Sequence, residues 1–326
     1  MGLQLKMWLL VACMFAILYG VITGIGSYLG VGNAFIYIVL ALFFMGIQYL
    51  MGPSLISLMM RIKWVSEKEE PQLHRMVEEL ARKASIPKPR VGISQIAIPN
   101  AFAFGRSLRD GRVCITEGIR NLLDEEELKA VIGHEISHLK HRDVLVITLL
   151  SVIPLVLYWL AWSLMWGGAM GGRRREQGGY AVLIGLAAFL LYLLTNLLVL
   201  YASRIREYYA DEGSVKIGNP PHKLASSLYK LVYSCARIQR TRYGKEEIQK
   251  LQGVRPFFLN DIATASREVH ELREVDKDLN GTIDRDELLE LRSKKVKLTR
   301  TEKMLELFTT HPNTLKRIKR LASLAL

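Results

Sequence analysis

Asp124–Lys140, DEEELKAVIGHEISHLK, is the stretch on which the reading of this chain turns. Asp124 followed three residues later by Glu127 forms a helix N-terminal signature ahead of Leu128, Val131, Ile132, Ile136 and Leu139, so the spacing predicts an α-helix. Positions four apart lie one above the other on a helix, and His134 and His138 can therefore reach one metal ion with both imidazoles. Glu135 projects about 100° round the helix from His134, placed to face a metal-bound water without becoming a ligand. Two surface histidines satisfy the same spacing, so the rest of the chain decides between the readings.

A catalytic zinc takes three protein ligands and leaves a fourth position for water. The segment Ser203-Arg204-Ile205-Arg206-Glu207-Tyr208-Tyr209-Ala210-Asp211 offers Glu207 as the third ligand. Asp211, four residues on and on the same face, would accept from the second ring nitrogen of a histidine. The competing reading is a solvated charge cluster of Arg204, Glu207 and Asp211. What separates the two motifs tips the balance: residues 144–202 read as two apolar runs and a loop. If they form a hairpin, Arg142 and Ser203 emerge on one membrane face and Glu207 comes back beside the histidines.

Half of the 326 residues are hydrophobic, high for a soluble enzyme. Four apolar runs account for it: Met7 to Leu29, Ala34 to Met60, Val144–Trp166 and Tyr180–Ala202. The last two are 23 residues each; at about 1.5 Å per residue they reach roughly 35 Å, enough to cross a hydrocarbon core of about 30 Å. The first run is too long for a signal peptide and has no clear cleavage site, so a retained anchor is expected, joined to the second by the short turn Gly30–Asn33.

The net charge of +13 does not imply nucleic acid. Fifteen Lys or Arg lie in Arg61–Arg142 and twenty-five in Arg204–Arg320, two segments that share one membrane side if four spans cross. Positive loops stay in the cytoplasm, so both segments are expected there, at the cell membrane. Arg173-Arg174-Arg175 would then lie outside against that rule; either its hairpin is less deeply inserted or the first hairpin sets the topology. Cys13, Cys114 and Cys235 form no CxxC pair and suggest neither a disulfide framework nor a zinc ribbon.

Short strands are predicted at Arg90–Ile98, Ala101–Gly105 and Arg112–Thr116, from the alternation of Val91/Ile93 and Phe102/Phe104 and the Asp110-Gly111 turn. An edge strand beside a metal could hold an extended peptide by backbone pairing, although Phe102 and Phe104 could equally fill the core. Asp276–Glu287 matches a calcium-binding EF-hand loop: oxygen ligands at loop positions 1, 3, 5, 9 and 12, Gly281 at the sharp turn and apolar Ile283 at position 8. Helical flanks are expected at Ile262–Val275 and Asp286–Lys295. EF-hands usually pair and no second loop exists, so a helix–turn–helix with solvated acids competes with calcium binding.

His134-Glu135-x-x-His138 with Glu207-x-x-x-Asp211 resembles the gluzincin arrangement of metallopeptidases. The N-terminal spans, the span pair between the motifs, Thr310-His311-Pro312 and Pro99-Asn100-Ala101-Phe102-Ala103-Phe104-Gly105 resemble the HtpX family of membrane zinc metalloproteases, in order and over essentially the whole chain. The resemblance implies zinc-dependent endopeptidase activity on membrane proteins, commonly in quality control of misfolded ones, with Asn100–Ala103 as the peptide-holding strand. The expected fold is mixed α/β and mainly helical, an integral membrane protein with four transmembrane helices and a cytoplasmic gluzincin domain. Its parts are a hairpin at 1–60, the first protease segment at 61–143, a second hairpin at 144–202 and the second protease segment at 203–326.

In this reading zinc sits on His134, His138 and Glu207, and Glu135 is the general base. His311, or in reserve Arg204, would stabilise the oxyanion. His141 is expected outside the ligand set. The partners are polypeptide substrates and the lipid bilayer. The rivals are a related CAAX-prenyl-protease-like enzyme, expected to have more spans, and an inactive membrane scaffold or calcium-sensing regulator, which would need no positioned base.

Overall fold

The computed structural model describes residues 50–170, 175–250, 258–259, 264–294 and 304–325. The first apolar run, the Gly30–Asn33 turn, most of the second run, Cys13, Arg173 and Arg174 lie outside them. The end of the second run, Leu50–Met59, is an apolar helix. The chain divides into two units, one whose described part is Leu50 with Leu145–Ser203, the other Met51–Val144 with Arg204–Leu326. The fold is mixed α/β and mainly helical.

The second unit opens with β1 (Ile62–Trp64), α1 (Pro71–Ala84), β2 (Arg90–Ser94), β3 (Ala101–Phe104) and β4 (Arg112–Thr116). The sheet runs β1-β2-β4-β3, with β2 and β4 parallel and the other pairs antiparallel, so β3 is an edge strand. β1 was not legible in the sequence: it is three residues long and pairs Lys63 with Ile93. The predicted strand at Arg90–Ile98 stops at Ser94 for a local reason. Its partner β4 ends at Thr116, whose hydroxyl accepts from Asn100 N and donates to Ile98 O, drawing 98–100 into a turn. Phe102 and Phe104 are buried in the core.

Thr116 caps α2 (Glu117–Leu122), and α3 (Glu125–Lys140) follows with the HEISH motif. The Asp124–Glu127 capping box is present: each side chain accepts from the other residue's backbone N–H, at 2.8 and 2.9 Å. Such a cap contributes about 1 kcal/mol. Glu127 also accepts from Ser226 Oγ and pairs with Lys230, anchoring α6 (Pro221–Gln239) to α3. Val131, Ile132 and Ile136 have no exposed surface, and burying each is worth about 1.5–3 kcal/mol.

Two long helices join the units, α4 (Asp143–Met170) and α5 (Arg175–Lys216). Within the first unit they pack on each other through Leu150, Ile153, Leu157, Val199 and Ala202. Gly185 lets them approach closely, because a Cβ there would lie 2.7 Å from Met165 Cγ. Outward-facing side chains are apolar and large, among them Trp159, Leu183 and Leu190, each about 60% exposed. Among the described residues one helix, Tyr180–Lys216, is long and apolar enough to cross a membrane; Ile153–Met165 is apolar over a shorter length.

The second unit closes with α7 (Arg242–Lys250), α8 (Ala265–Leu272), α9 (Arg285–Ser293) and α10 (Thr314–Ala322). α8 and α9 flank the EF-hand-like loop over shorter spans than expected. In that loop Asp276 accepts from Asn280 N, Gly281 N and Tyr229 OH, Gly281 takes φ +82°, and Ile283 is buried. Asp276, Asp278 and Glu287 bring carboxylate oxygens within 4.8 Å of one another.

Candidate metal centre

The end of α5 returns alongside α3 at unusually short range. A Cβ on Gly213 would stand 1.9 Å from Ser137 Oγ, and one on Gly133 would stand 2.2 Å from Asn219 Nδ2. Side chains with no Cβ at these two positions let the helix backbones close, and Ser214 Oγ bonds Ala130 O at 2.7 Å across the seam. This closeness sets Glu207 and Asp211, one turn apart on α5, against His134 and His138, one turn apart on α3.

Three side chains converge. His134 Nε2 and His138 Nε2 are 3.0 Å apart; Glu207 Oε2 lies 3.5 Å from the first and Glu207 Oε1 3.5 Å from the second. A tetrahedral ion with bonds of roughly 2.0–2.1 Å has ligand atoms about 3.3 Å apart, so these separations are on the scale of such a site. Glu207 Oε2 is buried and makes no hydrogen bond of good geometry among the described residues, its nearest cationic neighbour being Arg317 Nη1 at 3.2 Å, which leaves it lone-pair capacity for a cation. His134, His138 and Glu207 thus fit a metal ion, and neutral imidazoles with a carboxylate suit zinc.

The other ring nitrogens are also placed. His134 Nδ1 lies 2.9 Å from Asp211 Oδ1, as the sequence suggested, and His138 Nδ1 lies 2.6 Å from Asp143 Oδ2, which it did not. A carboxylate on Nδ1 leaves the Nε2 lone pair aimed at the centre. Each carboxylate is held in turn by a guanidinium, Asp211 by Arg317 and Asp143 by Arg206. Asp143 stands five residues after His138 and Arg317 six after His311; those offsets were the available signals for both.

Electrostatics follow from the burial. Burial favours neutral His134, but the Asp211 and Glu207 carboxylates outweigh it and raise its pKa to about 9. Burial opposes ionisation of Glu207 and Asp211 too; His311 and Arg317 hold Glu207 well below the ordinary carboxylate range, and Arg317 with His134 holds Asp211 low. Glu135 differs: burial pushes its carboxyl up, only partly offset by the two histidines. It also accepts from the backbone N–H of Ala103 on the edge strand.

His311 comes to the centre, with Nε2 3.8 Å from Glu207 Oε1 and Nδ1 2.9 Å from Thr310 Oγ1. Arg204 instead donates to the carbonyls of Leu307 and Thr309, at 3.1 and 2.8 Å, clamping the loop that carries His311. Asn100 is buried, and its side-chain oxygen accepts from Leu259 N. His141 caps the end of α3 beside Ser137 and is exposed.

Residues 67–325 match the model of Peptidase family M48. A protease HtpX homolog of Methanothermobacter thermautotrophicus is 50% identical over 240 residues, 74% of this chain and 90% of that protein. One from Pyrococcus furiosus is 36% identical over 331 residues, 100% of this chain and 98% of that protein. A third, from Moorella thermoacetica, is 38% identical over 73% of this chain and 79% of that protein. The crystal structure of S. mikatae Ste24p aligns with 97% of this chain and 67% of its own at 16% identity and a TM-score of 0.47, too loose a likeness to argue from.

Proposed function

Because the chain belongs to peptidase family M48 and is an HtpX-type, membrane-associated metalloprotease, we propose that it is a zinc endopeptidase of the cell membrane. Its ligands are His134, His138 and Glu207, its general base is Glu135, and its substrates are misfolded membrane or membrane-associated proteins. The observation that carries this reading is the convergence of His134 Nε2, His138 Nε2 and Glu207 oxygens, with both Nδ1 atoms turned onto carboxylates.

A bound zinc supplies Lewis acidity to a scissile carbonyl and to the attacking water. The chain's own groups do the rest. Glu135, with a carboxyl pKa raised by burial, takes the water's proton and passes it to the leaving amine. Asp211 and Asp143 hold the imidazole orientations. β3, at the sheet edge, offers backbone groups to an extended peptide, and the Ala103–Glu135 contact supports its nearness to the base. His311 is the proposed oxyanion donor; Arg204 serves by holding its loop.

The topology proposed with this function has four transmembrane helices and cytoplasmic protease segments at 61–143 and 203–326. It is supported by the α4–α5 packing with apolar faces outward and by the basic balance of the two polar segments. A calcium ion at Asp276–Glu287 is a separate and subordinate proposal, supported by the three converging carboxylates and the Gly281 turn. Calorimetry without heat on calcium addition would end it.

The deciding experiment compares cleavage of casein by the detergent-solubilised chain and its Glu135→Gln variant, with zinc measured on both. About one zinc per chain in each, with cleavage lowered roughly 10²–10⁴-fold in the variant, is expected. Equal cleavage by both removes Glu135 as base; no zinc after reloading removes the metal centre.

A further inference from the structure

Arg317 has no exposed surface, which is unusual for a charged side chain unless it is paired. α10 delivers it beneath the candidate metal centre, where all three of its nitrogens are used. Nε and Nη2 grip both oxygens of Asp211, at 3.0 and 2.7 Å, a two-pronged arrangement that fixes the plane of the carboxylate. Nη1 donates to Leu259 O at 2.8 Å and stands 3.2 Å from Glu207 Oε2. One guanidinium therefore touches a proposed ligand and the carboxylate that orients another ligand.

Charge counting gives this contact a purpose. Glu135, Asp143, Glu207 and Asp211 surround the two histidines, and Arg206 and Arg317 are the guanidiniums paired with them. With neutral imidazoles, two guanidiniums and a divalent cation balance four carboxylates. Among the described residues Arg206 pairs with Asp143, at 3.1 Å. Arg317 bridges Asp211 and Glu207 together, and its bond to Leu259 O is continued by Leu259 N to Asn100 Oδ1 next to β3. Its position is thus fixed from the core side, independently of the ligands.

We infer that Arg317 is the positioning residue of the metal centre: by gripping Asp211 and facing Glu207 it sets the affinity for a divalent cation. This rests on the reading of His134, His138 and Glu207 as ligands. An ammonium in its place carries the charge but cannot hold a carboxylate by two parallel bonds.

The test uses the full chain and measures three things on the wild type, Arg317→Gln and Arg317→Lys: zinc affinity by competition with a chromophoric chelator, the visible spectrum of the cobalt-substituted protein, and melting without metal. Zinc binding should weaken roughly 10–100-fold in Arg317→Gln, with a changed cobalt spectrum, and Arg317→Lys should recover little of it. Asp211→Asn/Arg317→Gln covers the case in which a lone buried Asp211 charge unfolds the single variant, since it removes both charges. It should melt near the wild type yet bind zinc as weakly as Arg317→Gln. Wild-type affinity and cobalt spectrum in a folded Arg317 variant, with only melting lowered, would overturn the inference and leave the ligands standing. A wild type that takes up no zinc would overturn both.

Discussion

His138 Nδ1 and Asp143 Oδ2 are 2.6 Å apart across the junction between α3 and α4, a charge-assisted distance. Asp143 is nearly fully buried, and Arg206 with His138 holds its carboxyl below the ordinary range although burial acts the other way. The pair brings the first residue of α4 to the candidate metal centre, and it mirrors His134 with Asp211 on the other imidazole.

Asp143→Asn keeps the shape and removes the charge that fixes the His138 tautomer. We expect zinc to bind roughly 10–100-fold more weakly and casein cleavage to fall to a similar degree. Chelator competition checks the first and cleavage at saturating zinc the second. Unchanged zinc affinity would leave Asp143 a helix-start residue only.

Metal-free protein should lose stability between about pH 6.5 and 9. His134 has its pKa raised from 6.5 to about 9 in the folded state, so its contribution is fully present below 6.5 and disappears as pH rises through 9. Zinc needs the imidazole unprotonated, so the zinc-loaded chain should lack this slope. Melting temperature against pH, with and without a chelator, reads both; a metal-free profile flat or rising over that window contradicts the ion-pair assignment.

Gly213→Ala places a methyl where Ser137 Oγ now sits, at 1.9 Å, so α5 must back away from the HEISH helix. Overpacking of this kind costs about 1–3 kcal/mol. A lowered melting temperature, with most of the loss restored by Ser137→Gly in the same chain, is the expected result. No change in either variant would mean the seam is looser than the contact implies.

Arg204→Ala frees the carbonyls of Leu307 and Thr309. Two charge-assisted bonds to one loop are worth roughly 1.5–3 kcal/mol each, so amides of 304–313 should exchange faster and cleavage should fall while zinc content stays at the wild-type level. Loss of zinc instead would place Arg204 in the metal site proper.

The sequence carried the α3 helix to its cap, because periodicity and capping are local and the Asp124–Glu127 box obeys both. The convergence of His134, His138 and Glu207 was also legible, because the two motifs flank a pair of apolar runs long enough to fold back as a hairpin. Asp211 was legible from one-turn spacing, and its His134 contact is found. Arg317 and Asp143 were not. Their partners are set by how helices end and dock, and a lone arginine in a basic tail or an aspartate at a turn has no periodic signature. β1 escaped for a related reason: three residues are too few to alternate, and its strand character comes wholly from β2. The third and fourth apolar runs fall in α4 and α5, where Tyr180–Lys216 meets the length and apolarity of a span and Ile153–Met165 falls short of it. The first two runs lie outside the described residues save for Leu50–Met59.

The spacing of the centre along the chain has a consequence in time. Glu207 follows His138 by 69 residues, and Arg317 follows Glu207 by 110. At about 5–20 residues per second of synthesis, the ribosome makes the two histidines roughly 3–14 s before Glu207 and needs roughly 6–22 s more to reach Arg317. Until then the newborn chain lacks Arg317 and, earlier still, Glu207, so the proposed centre is completed only near the end of synthesis.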